Sequence, residues 1–452
     1  MIFGAKTMFK RKIYDKLLEW KNNYSDTCAL LIEGARRVGK TTLVEEFAKN
    51  EYENYLLLDF SIETDRVKEL FDDITNLDNF YNSLFFIKDN KLKEGSLIIF
   101  DEIQKFPKAR QAIKHLVKDG RYHFIETGSL LSIRENVENI LIPSEERRIE
   151  MYPLDFEEFL WATNNKKTAD YIREAFLSKK SIPNGIHNNL NIEFRKYLAL
   201  GGMPKVIDEF NKTKDYYKAH QIKTDIIKLY KDDLHKHDIS YNTKTEKIWD
   251  LIPKTQLTRS SRFILSIDGV SKRYSTLEKA LGDIVDSKTV NMVKRINEPV
   301  ISNFDSIDDS FFKLYCCDTG LLVTSIYKNQ NIGIKDIYKN IIFDKGDNNL
   351  GSVYESIVCQ TLISNGYNLY YHTYIINEDN KEKHYEIDFI TEYQGKTLAI
   401  EVKSGKNFTT SSLDNLKKKY PQLKFERYII SGKSFKKEGD KTYLPIYMTF
   451  CL

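Results

Sequence analysis

Proline and glycine are scarce in this chain of 452 residues, at 9 and 20 respectively, and no repeat or low-complexity tract interrupts it. Collagen-like and wholly disordered readings therefore fail. Cysteine is also sparse. The five residues Cys28, Cys316, Cys317, Cys359 and Cys451 are odd in number and form no C-x-x-C pair. That argues against a zinc ribbon, fits a reducing compartment, and predicts buried thiols acting as small apolar side chains. Apolar runs are short: Cys28 to Ile32 and Ser96 to Phe100 fall far below the roughly 20 residues that a membrane span needs. With no signal-peptide core at the amino terminus, the expectation is a cytoplasmic protein with no membrane partner. Charge of one sign is not in excess. Lys plus Arg number 69 and Asp plus Glu 65, a net +4 that identifies neither a nucleic-acid nor a membrane partner.

What is present is organised in blocks, and the length alone suggests about three domains. Residues 1–150 alternate apolar strand-like runs (Ala29 to Ile32, Tyr55 to Phe60, Leu97 to Phe100, Tyr122 to Glu126) with amphipathic segments, the α/β pattern of a parallel sheet. Across 151–240 strands vanish and helical periodicity takes over, which reads as a helical subdomain. In 241–332, Ser275 and Glu278 fit a capping box opening a helix that buries Leu277, Ala280, Leu281 and Ile284. A second helix is expected from Ser287, with Val290, Val293 and Ile296 inward, completing a helix-turn-helix. Residues 333–349, rich in Lys, Asp and Asn, read as a linker. The last block, 345–452, reads as a helix over 353–365, strands around 368–376, a strand pair from Tyr385 to Lys403, and a basic helix near 411–420.

The most specific motif is Gly34-Ala35-Arg36-Arg37-Val38-Gly39-Lys40-Thr41, placed between an apolar strand and a helix that opens at Thr42. Chance would supply its four fixed positions in a chain this long about once in fifty sequences. Such a Walker A loop curls backbone N–H groups around phosphate oxygens, with Lys40 on the β and γ phosphates, Thr41 on Mg²⁺, and the helix dipole adding positive potential. Downstream, Ser96 to Phe100 is an apolar strand ending in Asp101 and Glu102, the form of a Walker B motif. Asp101 is expected to hold Mg²⁺ and Glu102 to orient the attacking water. The next strand runs into Thr127-Gly128-Ser129, where Ser129 is the candidate γ-phosphate contact. Arg147 and Arg148 read either as an arginine finger across a subunit contact or as surface arginines.

These segments, with Tyr152 to Leu160, Gly201-Gly202-Met203-Pro204, Leu314 to Gly320, Glu386 to Phe389 and Ile400 to Gly405, together resemble the prokaryotic AAA-type ATPases that carry a carboxy-terminal domain of unknown function. The resemblance covers nearly the full chain. It implies an α/β P-loop NTPase (AAA-like) core, a helical lid, a winged helix and a restriction-endonuclease-like tail, with ATP and Mg²⁺ as cofactors. Where many relatives read Leu-Leu-Asp, this chain has Cys316-Cys317-Asp318, a difference expected to affect packing only.

Near the end, Glu355 on a helix, Asp388 on one strand and Glu401-x-Lys403 on the next match the spacing of the PD-(D/E)XK nuclease core. Glu355, Asp388 and Glu401 are the candidate ligands of a second divalent ion, Mg²⁺ or Mn²⁺, and Lys403 the group that positions water and offsets developing charge. From spacing alone an amphipathic hairpin fits as well, with Ile400 and Val402 inward and Glu401 and Lys403 in water. Lys272, Arg273, Lys288, Lys294 and Arg295 around the expected helix-turn-helix, and Lys417 to Lys419, read as DNA-phosphate contacts or as solvated faces. Three functions stand: an ATPase coupled to DNA, a nucleotide switch that recruits a protein partner with the tail as a docking scaffold only, or ATP binding with little turnover; a protein partner or self-association is expected alongside ATP and DNA.

Overall fold

The computed structural model describes residues 8–129, 143–234, 239–257, 263, 266–267, 270–271, 274–300, 306–328, 333–343, 351–378, 381–405 and 407–452. They divide into two compact units, one made of the described part of Met1–Tyr152 with Asp286–Lys288, the other of Pro153–Val285 with Thr289–Leu452.

The first unit alternates strand and helix: α1 (Ile13–Asn23), β1 (Ala29–Glu33), α2 (Lys40–Glu51), β2 (Tyr55–Asp59), α3 (Asp65–Glu69), α4 (Leu77–Ile87), β3 (Leu97–Asp101), α5 (Pro107–Asp119), β4 (His123–Gly128) and β5 (Glu146–Glu150). Every strand pair is parallel and the order is β2-β3-β4-β1-β5. The continuous apolar runs of β1 and β3 follow from this, because every position of both strands is buried. On one face of the sheet, Phe60, Phe71, Phe80 and Phe100 pack ring edge against ring face at centroid distances of 5.1 to 5.8 Å. The strand order puts β4 between β1 and β3, so the carboxyl end of β4 falls between the ends of the two motif-bearing strands.

The second unit opens with helices α6 (Phe156–Ala162), α7 (Lys166–Leu177), α8 (Asn184–Leu200), α9 (Pro204–Thr213), α10 (Tyr216–Leu234) and α11 (Ile239–Leu257). Asp155 and Glu158 form a reciprocal capping box that starts α6. There follow the short hairpin β6 (Ser266–Ile267) and β7 (Val270–Ser271), α12 (Tyr274–Asp286), β8 (Val290–Ile296), β9 (Ile307–Cys316), α13 (Thr319–Tyr327), α14 (Ile334–Phe343), α15 (Gly351–Ser364), β10 (Tyr370–Glu378), β11 (Lys381–Tyr393), β12 (Lys396–Lys403), α16 (Ser411–Lys419), β13 (Phe425–Ser431), β14 (Lys436–Glu438) and β15 (Lys441–Pro445). Eight strands form one mixed sheet in the order β14-β15-β13-β12-β11-β10-β8-β9.

Three expectations are corrected here. Helix α12 buries Leu277, Ala280, Leu281 and Ile284 as its periodicity implies, but the second helix expected from Ser287 is strand β8. Val290, Val293 and Ile296 are indeed inward. A spacing of three fits a helix, but here two sheet partners, β9 and β10, claim the segment, and the helix-turn-helix built on that pair of helices is absent. Second, the linker over 333–349 contains α14, which buries Ile337, Tyr338, Ile341 and Ile342. Third, Glu401 does not face water as the amphipathic-hairpin reading would have it. It is 1% exposed while Ile400 and Val402 on the alternate face are also buried, because α15 packs against β12.

Candidate functional site

In the first unit the chain leaves β1 at Glu33, turns through Gly34 to Gly39 and enters α2 at Lys40. Three loop positions have positive φ, Gly34 at 156, Arg37 at 69 and Gly39 at 102. Gly34 is required for space, since a Cβ there would lie 2.3 Å from the Met151 carbonyl oxygen. Lys40 is 9% exposed and its Nζ donates to the carbonyls of Gly34 (2.8 Å) and Ala35 (3.1 Å). Burial lowers its pKa to about 8, against the pull of Glu102 and Asp101. Ala35 and Val38 pack into the core, whereas Arg37 and Thr42 are exposed and Arg36 half-exposed.

Asp101, at the end of β3 and 3% exposed, accepts hydrogen bonds from Thr41 Oγ1 at 3.0 Å to each carboxylate oxygen and from Thr127 Oγ1. Burial raises its pKa, and the two threonine hydroxyls oppose that rise. A hydroxyl and a carboxylate held together beside a buried lysine are hard oxygen donors suited to Mg²⁺. Glu102 follows on left-handed backbone (φ 53), and Gln104 Nε2 donates to its Oε2 at 2.5 Å.

In the second unit the carboxylates singled out by spacing do come together. The β11–β12 ladder ends at the pair Phe389 and Ile400, and one step further Asp388 Oδ2 accepts from the Val402 backbone N–H at 2.7 Å. Glu401 Oε2 is buried without a hydrogen bond, 3.4 Å from Lys403 Nζ. Burial, then the Asp388 charge, raise the Glu401 pKa to about 7. Glu355, on α15, is likewise raised to about 7 by burial, then by Asp388. Spacing did not flag two further participants. Lys313 on β9 lies 2.5 Å from Glu386 Oε1 and 3.7 Å from Glu355 Oε2, and Tyr315, two residues on, donates to Glu355 Oε2 at 3.3 Å. Their signal was the alternation Lys313-Leu314-Tyr315, which sends both side chains to one face of a strand. Among the described residues, no group of three or more His, Cys, Asp or Glu side chains is arranged to hold a metal ion, and no helix is long and apolar enough to cross a membrane.

Three family models match in succession: AAA domain over residues 26–160, a domain of unknown function (DUF8612) over 191–331, and a domain of unknown function (DUF4143) over 350–448. The chain carries an AAA domain. It is also similar to an uncharacterized protein of Methanocaldococcus jannaschii, 26% identical over 466 residues that take in 96% of this chain and 88% of that one. Among solved structures, a Walker-type ATPase of Pyrococcus abyssi matches at 16% identity over 70% of this chain and 96% of its own, with a TM-score of 0.41. PCH-2 of C. elegans matches at 10% identity over 61% of this chain and 64% of its own, with a TM-score of 0.20.

The AAA domain thus brings Lys40, Thr41, Asp101 and Glu102 together at the carboxyl ends of the interior strands β1 and β3, with Thr127 of β4 as the added member. Ser129, the residue expected to report on the γ phosphate, sits just past β4 and is half-buried, while Thr127 is the β4 side chain that reaches Asp101. The arginines on edge strand β5 are exposed and have partners within the AAA domain: Arg147 lies 3.7 Å from the Tyr24 ring and Arg148 Nε donates to Glu146 at 2.8 Å. The basic residues near the expected helix-turn-helix are also engaged, Lys288 with Glu150, Lys294 with Asp309 at 2.5 Å and Arg295 with Asp308 at 2.6 Å. Lys272 and Arg273 lie outside the described residues. Of the carboxy-terminal basic run, Lys417 pairs with Asp440 at 2.7 Å and Lys419 Nζ donates to the Ile375 carbonyl at 3.0 Å.

Proposed function

We propose that this protein binds ATP with Mg²⁺, hydrolyses it, and couples the cycle to DNA through its carboxy-terminal carboxylate set. The observation that carries the first part is the Thr41–Asp101 hydrogen bond at 3.0 Å beneath a loop whose lysine is parked on the loop's own carbonyls. The backbone N–H groups from Gly34 to Thr42 would meet phosphate oxygens, and Lys40 would exchange two carbonyl contacts for the β and γ phosphates. Thr41 and Asp101 would hold Mg²⁺, which supplies neutralising charge to the phosphates when bound. Glu102 Oε would take the proton of the attacking water, with Thr127 and Ser129 between the two motif strands. Arg147 and Arg148 are the exposed cations that a second copy of the chain would meet.

The DNA part is supported by the gathering of the half-buried Glu355, Asp388 and Lys403 around the buried Glu401, matching the nuclease spacing. Asp388 and Glu401 suit a divalent ion, Mg²⁺ or Mn²⁺, because Glu401 keeps a buried oxygen without a hydrogen bond. A cytoplasmic location agrees with ATP as ligand and with free thiols at Cys28, Cys316, Cys317 and Cys359, all buried. A second reading, a protein-recruiting switch with a catalytically silent tail, is favoured by the pairing of Lys313, Lys294 and Arg295 with carboxylates of the chain itself.

Phosphate release and DNA cleavage, measured on a panel of DNA substrates with and without ATP, separate the readings. The leading one expects Mg²⁺- or Mn²⁺-dependent cleavage abolished by Asp388→Ala or Glu401→Ala. A wild type that neither binds nor nicks any of the DNA, while still releasing phosphate, leaves the switch.

A further inference from the structure

Helix α1 lies ahead of the residues matched as the AAA domain, yet it is fixed to them. It buries Ile13, Leu17 and Trp20, the Tyr14 ring packs edge-on against Phe47 of α2 at 5.4 Å, and Trp20 Nε1 donates to the Cys28 carbonyl at 2.9 Å. Arg11 stands at the entrance to α1, where its own carbonyl accepts from Tyr14 N at 3.2 Å. Arg11 is 5% exposed, and its guanidinium forks. Nη1 donates to the Val38 carbonyl at 3.1 Å and Nη2 to the Tyr152 carbonyl at 2.6 Å.

The Tyr152 end of this fork is firm. Met151 N donates to the Glu33 carbonyl at 2.7 Å, where the phosphate loop begins, and the Tyr152 hydroxyl donates to Glu150, which also pairs with Lys288. At the other end is the peptide between Val38 and Gly39. A trans peptide is planar with its C=O and N–H on opposite sides, so a guanidinium that holds the Val38 oxygen turns the Gly39 N–H the other way. That N–H makes no backbone hydrogen bond among the described residues. Gly39 has φ 102 and, lacking a Cβ, tolerates either sign of φ, so this peptide can flip at small cost. A flip would present the Val38 oxygen to a phosphate in place of the N–H, exchanging attraction for repulsion. Arginine suits the task of preventing it, since a planar guanidinium offers its donors as a rigid fork that spans two carbonyls.

We propose that Arg11 is a positioning residue for the nucleotide, a strap from Tyr152 to the phosphate loop that locks the Val38–Gly39 peptide with its N–H toward the phosphates. This rests on the nucleotide-binding reading given above. The strap acts from outside the matched AAA domain and touches no phosphate itself.

Val38-Gly39 is the one Val-Gly pair in the sequence, so the full chain labelled with carbonyl-¹³C valine and ¹⁵N glycine gives a single carbonyl–amide correlation by nuclear magnetic resonance. In wild type, saturating MgATP is expected to move the Gly39 amide shifts. Arg11→Met, which removes both hydrogen bonds, is expected to move the Val38 carbonyl shift without nucleotide and to weaken MgATP binding about tenfold, the scale of one hydrogen bond to a charged group. KM for ATP should rise by the same factor, with kcat within about twofold of wild type. A merely structural role would lower the folded fraction, and so kcat, and leave KM alone. Arg11→Lys keeps the buried charge and is expected to show the same KM change, because one ammonium does not span both carbonyls. Should Arg11→Met fail to fold, Arg11→Lys and the wild-type titration carry the test. A Gly39 amide unmoved by MgATP that binds, or a folded variant with wild-type affinity and KM, overturns the role of Arg11 while nucleotide binding stands. A wild type that binds no MgATP overturns the nucleotide reading, and the proposal with it.

Discussion

Gln104 Nε2 donates to Glu102 Oε2 at 2.5 Å, and Gln104 is itself 5% exposed, so the carboxylate proposed to receive the proton of the attacking water is held by a buried amide two residues on. The left-handed backbone at Glu102 (φ 53) marks a position where the surrounding fold overrides local preference. Gln104→Ala is expected to lower kcat for ATP hydrolysis about tenfold, equivalent to about 1.4 kcal/mol of barrier, with KM for ATP unchanged. An unchanged kcat would remove Gln104 from this positioning role.

Glu102→Gln keeps the shape of the side chain but cannot accept the proton, and a group of this kind contributes about 10² to 10⁴ in rate. Steady-state phosphate release is expected to fall by at least about a hundredfold while nucleotide binding persists. Equal rates in wild type and variant would assign the chemistry elsewhere.

The Gly-Gly-Met-Pro and Asp-Thr-Gly segments are explained by packing rather than catalysis. Asp318 is fully buried, caps α13 by accepting from Leu321 N at 3.0 Å, and also accepts from Gly202 N at 2.6 Å. A Cβ on Gly202 would lie 2.0 Å from the Leu154 carbonyl oxygen, and one on Gly320 2.3 Å from that of Leu200. Gly202→Ala is expected to cost about 3 kcal/mol in urea unfolding, the upper end for overpacking, without altering the affinity of the AAA domain for nucleotide.

His220, on α10, carries a pH prediction. Burial first, then the Lys223 charge, lower its pKa from 6.5 to about 4, and its Nδ1 lies 3.3 Å from the Tyr338 hydroxyl. The unfolded chain therefore takes up this proton before the folded one does. The stability tied to neutral His220 is fully present above about pH 6.5 and is lost as pH falls toward 4. Half-exposure screens the effect to about 1–2 kcal/mol. Urea midpoints at pH 7 and pH 4.5 should differ by less in His220→Gln than in wild type, and an equal difference would contradict the assignment.

The strands and the phosphate loop of the first unit were readable because β1 and β3 are buried on both faces, which writes them as unbroken apolar runs ending in polar motif residues. Asp388, Glu401 and Lys403 were readable because a hairpin fixes their spacing over a short stretch of chain. Lys313 and Thr127 were not, since each reaches the site through tertiary placement: Thr127 by lying on the strand between two others, Lys313 by crossing from β9 to α15 and β11. The segment Val290–Ile296 misled for a related reason. Its inward residues recur every third position, with Val290, Val293 and Ile296 buried and the four between them half-buried, and only its sheet partners decide against a helix.

The central claim is that the turn from Gly34 to Thr41 grips a nucleoside triphosphate. Calorimetric titration of the full chain with ATP and saturating Mg²⁺ tests it most directly. Wild type should give a saturable heat at about one nucleotide per chain, weakened at least about tenfold (about 1.4 kcal/mol) by Lys40→Ala. No heat in wild type, or equal affinity in wild type and Lys40→Ala, would contradict the account.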